Sequence, residues 1–221
     1  MEAIINAHSD IFWLMSKLYN ENRFYMIYGN HDIVKQRKGY MNNNCNDYYY
    51  DGARCHIPLF TNIKVHEGLI LEDIDSEKRI FLVHGHQGDF LNDEIWRVAR
   101  FLVRYIWKPL ELVGFLNPTG YGRPNADKIE VEKRLSAFAG QTNQIVIAGH
   151  THRPVFPFPG TGLYFNDGSC VHPRCITGIE IENNKISLIK WSICTREDRT
   201  LYIGREVLAG PVCISDYFNK K

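Results

Sequence analysis

The sequence predicts an α/β fold, and three observations carry that expectation. Apolar runs of strand length, Phe24–Tyr28, Ile80–Val83 and Ile145–Ala148, each lead into a short stretch rich in Gly and His. The opening residues Glu2–Tyr19 space Ile4, Ile5, His8, Ile11, Phe12, Met15 and Leu18 close to a helical period. The C-terminal part alternates short strand-like runs with turn residues.

The elements then follow in order. A helix is expected over Glu2–Tyr19, then strands near Phe24–Tyr28, Thr61–Val65, Ile80–Val83 and Gln144–Ala148. Turn formers in Pro154–Gly162 mark a loop. Beyond it the chain reads as mostly β: Leu163–Phe165, Ile176–Ile181, Ile186–Cys194 and Leu201–Ile203. Asn183-Asn184 between two of these runs is a hairpin signal. Met41–Tyr50 is rich in Asn and Tyr, and no internal repeat is evident.

Composition bounds the answer. At 221 residues and 44% hydrophobic, the chain can bury one sizeable core, so 1–221 is expected to be a single domain. A net charge of +1 gives no general case for nucleic-acid binding. The six cysteines lack a Cys-x-x-Cys pair or dense scaffold spacing, and no secretory signal opens the chain. Reduced thiols and a cytoplasmic location are therefore expected. Cys170 and Cys175 flank His172, but a fourth zinc ligand is not evident, and strand-end residues near a turn are the favoured reading.

The chemistry concentrates in three stretches: Gly29-Asn30-His31-Asp32, His84-Gly85-His86 and Gly149-His150-Thr151-His152. Each sits at the carboxyl end of an expected strand, where α/β proteins build their sites. Amide and imidazole donors without thiolate suit Mn²⁺, Fe or Zn²⁺.

In wording and order these stretches resemble the last three signature blocks of the calcineurin-like metallophosphoesterase superfamily: Gly-Asn-His-Asp/Glu, a lone His, and Gly-His-x-His. The resemblance implies a two-sheet β-sandwich flanked by helices. It also implies two divalent ions, most simply Mn²⁺, that clamp a phosphate and aim a bridging water at phosphorus, about 4 Å apart in such sites. Carried over residue by residue, Asn30, His84 and His150 would ligate the second metal and His152 the first. His31 would be the histidine that donates to the phosphoryl or leaving-group oxygen.

The family's first two blocks, Asp-x-His and Gly-Asp, should precede residue 29, and residues 1–28 contain neither. The chain reads as a family member without its first segment and first strand or strands. Met1 would then be an internal methionine taken as a start; a natural short form is the alternative. Loss of an inner strand would expose apolar faces and unpaired edges and lower stability. Without the bridging carboxylate the two-metal clamp should fail, leaving one ion or none. Two functions stand at this point. One is a metal-dependent phosphoesterase, impaired in this form, that acts on a phosphoester or pyrophosphate. The other is a non-catalytic remnant that binds one metal or a protein partner.

Residues 93–140 read as a helical, cap-like insertion. Within 93–115, Arg97, Arg100, Arg104 and Lys108 recur on one helix face of an apolar, aromatic segment. Pro109 and these charges argue against a bilayer-spanning helix. The segment suits peripheral contact with a membrane or an anionic lipid, packing on the core, or a homo-oligomeric contact. Together with His150-Thr151-His152-Arg153-Pro154, it resembles the UDP-2,3-diacylglucosamine diphosphatase subgroup, which implies a nucleotide-lipid or other small phosphate-containing substrate. Two positions depart from that subgroup: it usually has Arg at the position of His31 and Asp at that of His86.

The remaining candidates are open between two roles. His86 is a residue orienting His84 or a loop residue. Asp89 contacts substrate or a ligand's partner, as does Asp93 unless it caps a helix. Arg153 is a substrate-binding candidate. Asn166, in the turn Asn166-Asp167-Gly168-Ser169, is expected near the site. His8, His56 and His66 match no motif.

Overall fold

The computed structural model describes residues 2–44, 47–50, 54–72, 78–86 and 125–218. These residues form two compact units, Met1–Glu67 and Gly68–Lys221. Asp89, Asp93, the 93–115 segment and most of the 93–140 insertion lie outside the described residues.

In the first unit, helices α1 (Glu2–Ala7) and α2 (Ser9–Asn20) occupy the span expected as one helix. The break is His8, whose backbone leaves the helical region at φ −134°, ψ 39°. Apolar spacing alone does not encode that interruption. A core forms from Ile5, Met41, Leu59, Phe60 and Ile63, with Phe12, Met15, Tyr19 and Phe24 packed against it. Phe60 is its hub, stacked on Phe24 at 5.6 Å and edge-on to Tyr19 at 6.0 Å. Ser16 Oγ donates to the Leu59 carbonyl at 2.8 Å, which explains a buried serine on the inner face of α2. Ile4 and Ile11, expected on the buried face, are instead 53% and 57% exposed.

Strand β1 (Met26–Ile27) pairs in parallel with β4 (Val65–His66), and the ladder continues as Tyr28 N–H donates to His66 O. The strand expected at Thr61–Val65 thus forms later, because Thr61-Asn62 is a turn with Asn62 at φ 59°. A 3₁₀ turn (Ile33–Gln36), helix α3 (Tyr40–Asn44) and the antiparallel pair β2 (Asp47–Tyr50) and β3 (Cys55–Pro58) complete this unit.

The second unit is built in layers. Strands β5 (Gly68–Glu72), β6 (Arg79–Val83), β7 (Ile145–Ala148) and β8 (Tyr164–Asn166) form a sheet in that order, antiparallel at β5–β6 and parallel thereafter. Its side chains alternate between two covered faces. Ile80, Ile145, Ile147 and Phe165 meet Ile179, Ile186 and Val212 of a second sheet. Phe81, Val83, Val146 and Ala148 meet Leu135 and Ala139 of helix α4 (Asn125–Thr142). Burial on both faces is why β7 reads as an unbroken apolar run, each Ile or Val side chain contributing roughly 2 kcal/mol.

The second sheet is the antiparallel meander β9 (Cys175–Glu182), β10 (Lys185–Thr195) and β11 (Leu201–Cys213). Asn183 and Asn184 make the β9–β10 turn with φ of 50° and 59°, as their sequence signal predicts. β11 runs well past the expected Leu201–Ile203, because pairing with β10 carries it through Gly204, Arg205 and Glu206. The second unit is thus a mixed α/β arrangement in which two sheets face each other, with a helix on the outer face of the first of them.

Candidate metal centre

The carboxyl ends of β6 and β7 lie side by side. Gly149 N–H donates to the His84 carbonyl at 3.0 Å, extending the parallel ladder one step past the strands. His84 and His150 therefore emerge together, with ring centroids 5.1 Å apart and planes tilted by 57°. His86 lies with its ring centroid 5.3 Å from that of His84 and is 1% exposed. Gly85 makes this close approach feasible. Its φ is 102°, and a Cβ there would lie 3.3 Å from Ala148 Cβ and 3.4 Å from His150 Cβ.

The Gly149–His152 stretch is sharply bent. Thr151 N–H donates to Gly149 O at 2.7 Å across His150, whose φ is 63°, and His152 has φ 57°. Two histidines in the left-handed region within three residues cost of order 1 kcal/mol each or more. Surrounding bonds hold the bend. The buried Asn166 amide donates to Gly149 O at 2.7 Å and lies 3.1 Å from Thr151 Oγ1 and 3.0 Å from Tyr164 Oη. Its Oδ1 accepts from Gly168 N–H at 2.9 Å. Thr151 Oγ1 donates to Glu132 Oε1 on α4 at 2.9 Å. Arg153 reaches the other oxygen of Glu132 at 3.7 Å. His152 Nδ1 sits 3.1 Å from Ser169 Oγ, and Ser169 N–H donates to Thr177 on β9.

One residue in this group escaped the sequence reading. Asp167 follows β8, its N–H donates to the Ala148 carbonyl, and its carboxylate stands over Gly149. Burial pushes its pKa up to about 6. The available signal was its place in the Asn166–Ser169 turn, already expected beside the site.

Asn30 and His31 lie in the first unit, just past β1. Asn30 is buried and its Oδ1 has no hydrogen-bond partner among the described residues, whereas His31 is exposed. Asp32 is occupied: Oδ1 accepts from Gly29 N–H at 2.5 Å and Oδ2 pairs with Lys35 Nζ at 2.6 Å.

Among the described residues, no three His, Cys, Asp or Glu side chains are grouped to hold a metal ion. The donors present still fit one. Within the second unit, the two neighbouring imidazoles of His84 and His150 are the chemistry of a borderline divalent cation.

The calcineurin-like phosphoesterase family model matches residues 6–154, a span that includes all three motif stretches. No curated protein matches the chain. Solved structures similar to it include Chaetomium thermophilum Vps29, at 11% identity and TM-score 0.30, covering 65% of this chain and 59% of that one. Vps29 complexed with a RaPID-derived cyclic peptide is similar at 11% identity and TM-score 0.31, with 68% of each chain covered. The chain thus spans less than two thirds of the first of these, and likenesses this slight do not bear on function. A family match through two thirds of the residues, which takes in the adjacent strand ends that carry His84 and His150, is decisive: the chain belongs to the calcineurin-like phosphoesterase family, whose members bind divalent metals.

Proposed function

We propose that this domain serves metal-dependent hydrolysis of a phosphoester or pyrophosphate bond, and that the 221 residues themselves hold one divalent ion. The observation that carries this reading is the His84–His150 pair at the ends of β6 and β7. Asn30 is assigned to the same ion on the family's motif order alone. An ion bound there supplies charge neutralisation of the phosphate and a water of lowered pKa.

The remaining roles fall to the chain's own groups. Exposed His31 donates a proton toward the leaving-group oxygen. His86, buried against His84, fixes that ring. His152 belongs to a second metal position, for which the chain offers no Asp-x-His or bridging Gly-Asp ahead of residue 29. Asn166 holds the 149–151 bend, and Arg153 is tethered through Glu132 beside it. Mn²⁺ is the proposed ion, with Fe and Zn²⁺ allowed by the same donors. A small phosphate-containing substrate, nucleotide-lipids included, is proposed from the His150–Pro154 wording. Cytoplasmic location is proposed from cysteine usage, and among the described residues no helix is long and apolar enough to cross a membrane.

The test is turnover of bis(p-nitrophenyl) phosphate and UDP-N-acetylglucosamine by the Mn²⁺-loaded protein. Slow hydrolysis is expected, abolished by His84→Ala and reduced about 10²-fold or more by His31→Ala. A bound ion without any turnover favours the non-catalytic alternative. Turnover indifferent to metal contradicts both.

A further inference from the structure

The first unit carries a basic concavity. A cavity of about 390 Å³ opens beside the 3₁₀ turn, and Lys35, Arg37, Lys38 and Lys64 all line it. No Asp or Glu does. That imbalance is local, because residues 1–67 hold seven Lys and Arg against seven Asp and Glu, and the whole chain 26 against 25. Only Lys35 has an ion-pair partner, Asp32; Arg37, Lys38 and Lys64 have none among the described residues. Three exposed cations held around one concavity, with no acid between them, repel each other unless an anion is shared.

The wall is built as well as charged. Asn42 Nδ2 donates to Asn62 Oδ1 at 3.0 Å, and Asn62 N–H donates to Asn42 Oδ1 at 3.2 Å, a reciprocal clip that fixes α3 against the turn before β4. Buried Met41 and Ile63 close the floor. The cations are thus carried on anchored backbone, which lowers the ordering cost of binding.

We propose that this cavity binds a soluble organic phosphate bearing at least two negative charges. The volume suits a ligand of nucleotide size, and Arg37 offers the planar fork that matches phosphate oxygens. An extended nucleic acid is disfavoured, because the cations converge on one concavity instead of following a track. The inference uses no residue of the metal centre and stands or falls without it.

The experiment is calorimetric titration of the EDTA-treated full chain with ADP and, separately, inorganic pyrophosphate. Binding of both is expected below about 1 mM, weakening as salt rises. Arg37→Gln with Lys38→Gln, and separately Lys64→Gln, should each weaken it about tenfold or more. The variants are at exposed positions, and a thermal melt checks their fold. Lys17→Gln with Arg23→Gln removes the same charge outside the cavity and should leave binding intact. No binding of either probe, or equal loss in the control pair, overturns the proposal. Binding of ADP that ignores the cavity variants overturns it too.

Discussion

The side-chain amide of Asn166 donates to the Gly149 carbonyl at 2.7 Å, tying the end of β8 to the bend that presents His150 and His152. Asn166 is fully buried, so truncation strands several polar groups at once. Asn166→Ala should destabilise the fold by about 2–4 kcal/mol, read as a lowered urea midpoint with unchanged slope. Asn166→Asp keeps an acceptor for Gly168 N–H but loses every donor, and should be no better. A loss within ~0.5 kcal/mol would mean that the bend holds itself.

Gly149 is confined by Asp167. A Cβ at residue 149 would lie 3.0 Å from Asp167 Oδ1 and 3.7 Å from the His84 carbonyl. Gly149→Ala should therefore cost roughly 1–3 kcal/mol through overpacking. In an Asp167→Ala background most of that cost should vanish, a coupling that a double-mutant cycle measures. Equal costs in both backgrounds would show that the crowding lies elsewhere.

Asp167 also sets a pH dependence. Its folded pKa, raised by burial to about 6 from an ordinary 3.8, means the folded chain binds the proton more tightly than the unfolded chain. Its contribution is fully present below 3.8 and lost as pH rises through about 6. In EDTA, Asp167→Asn should be the more stable protein at pH 7.5, and its advantage over wild type should close as pH falls toward 4. Melting curves of the two proteins across pH isolate this group from other titrations. A gap that does not change with pH would contradict the burial argument.

What the sequence could and could not encode follows from which forces are local. β7 was legible because four consecutive apolar residues need two covered faces, and the motif histidines because they directly follow such runs. The full length of β11 was hidden: Gly204, Arg205, Glu206 and Pro211 weaken any strand signal, and only the register with β10 carries the chain through them. The hairpin β2–β3 and the strand β5 went unread although Tyr48–Tyr50 and Leu69–Leu71 are strand formers; their partners came only from the pairing. Within the site, His84 and His150 could be nominated one by one. Their adjacency came only from the parallel register of β6 and β7, and the placing of Asp167 over Gly149 from that of β7 and β8. Ile4 and Ile11 show the converse, helical spacing with no burial behind it.

The most direct test of the metal centre is the number of ions per chain, by elemental analysis after Mn²⁺ loading and desalting. The account predicts about one ion in the wild-type protein, lost in His84→Ala and in His150→Ala, and retained in a Lys17→Gln control. No ion in the wild type, or an ion that survives both histidine substitutions, would contradict it.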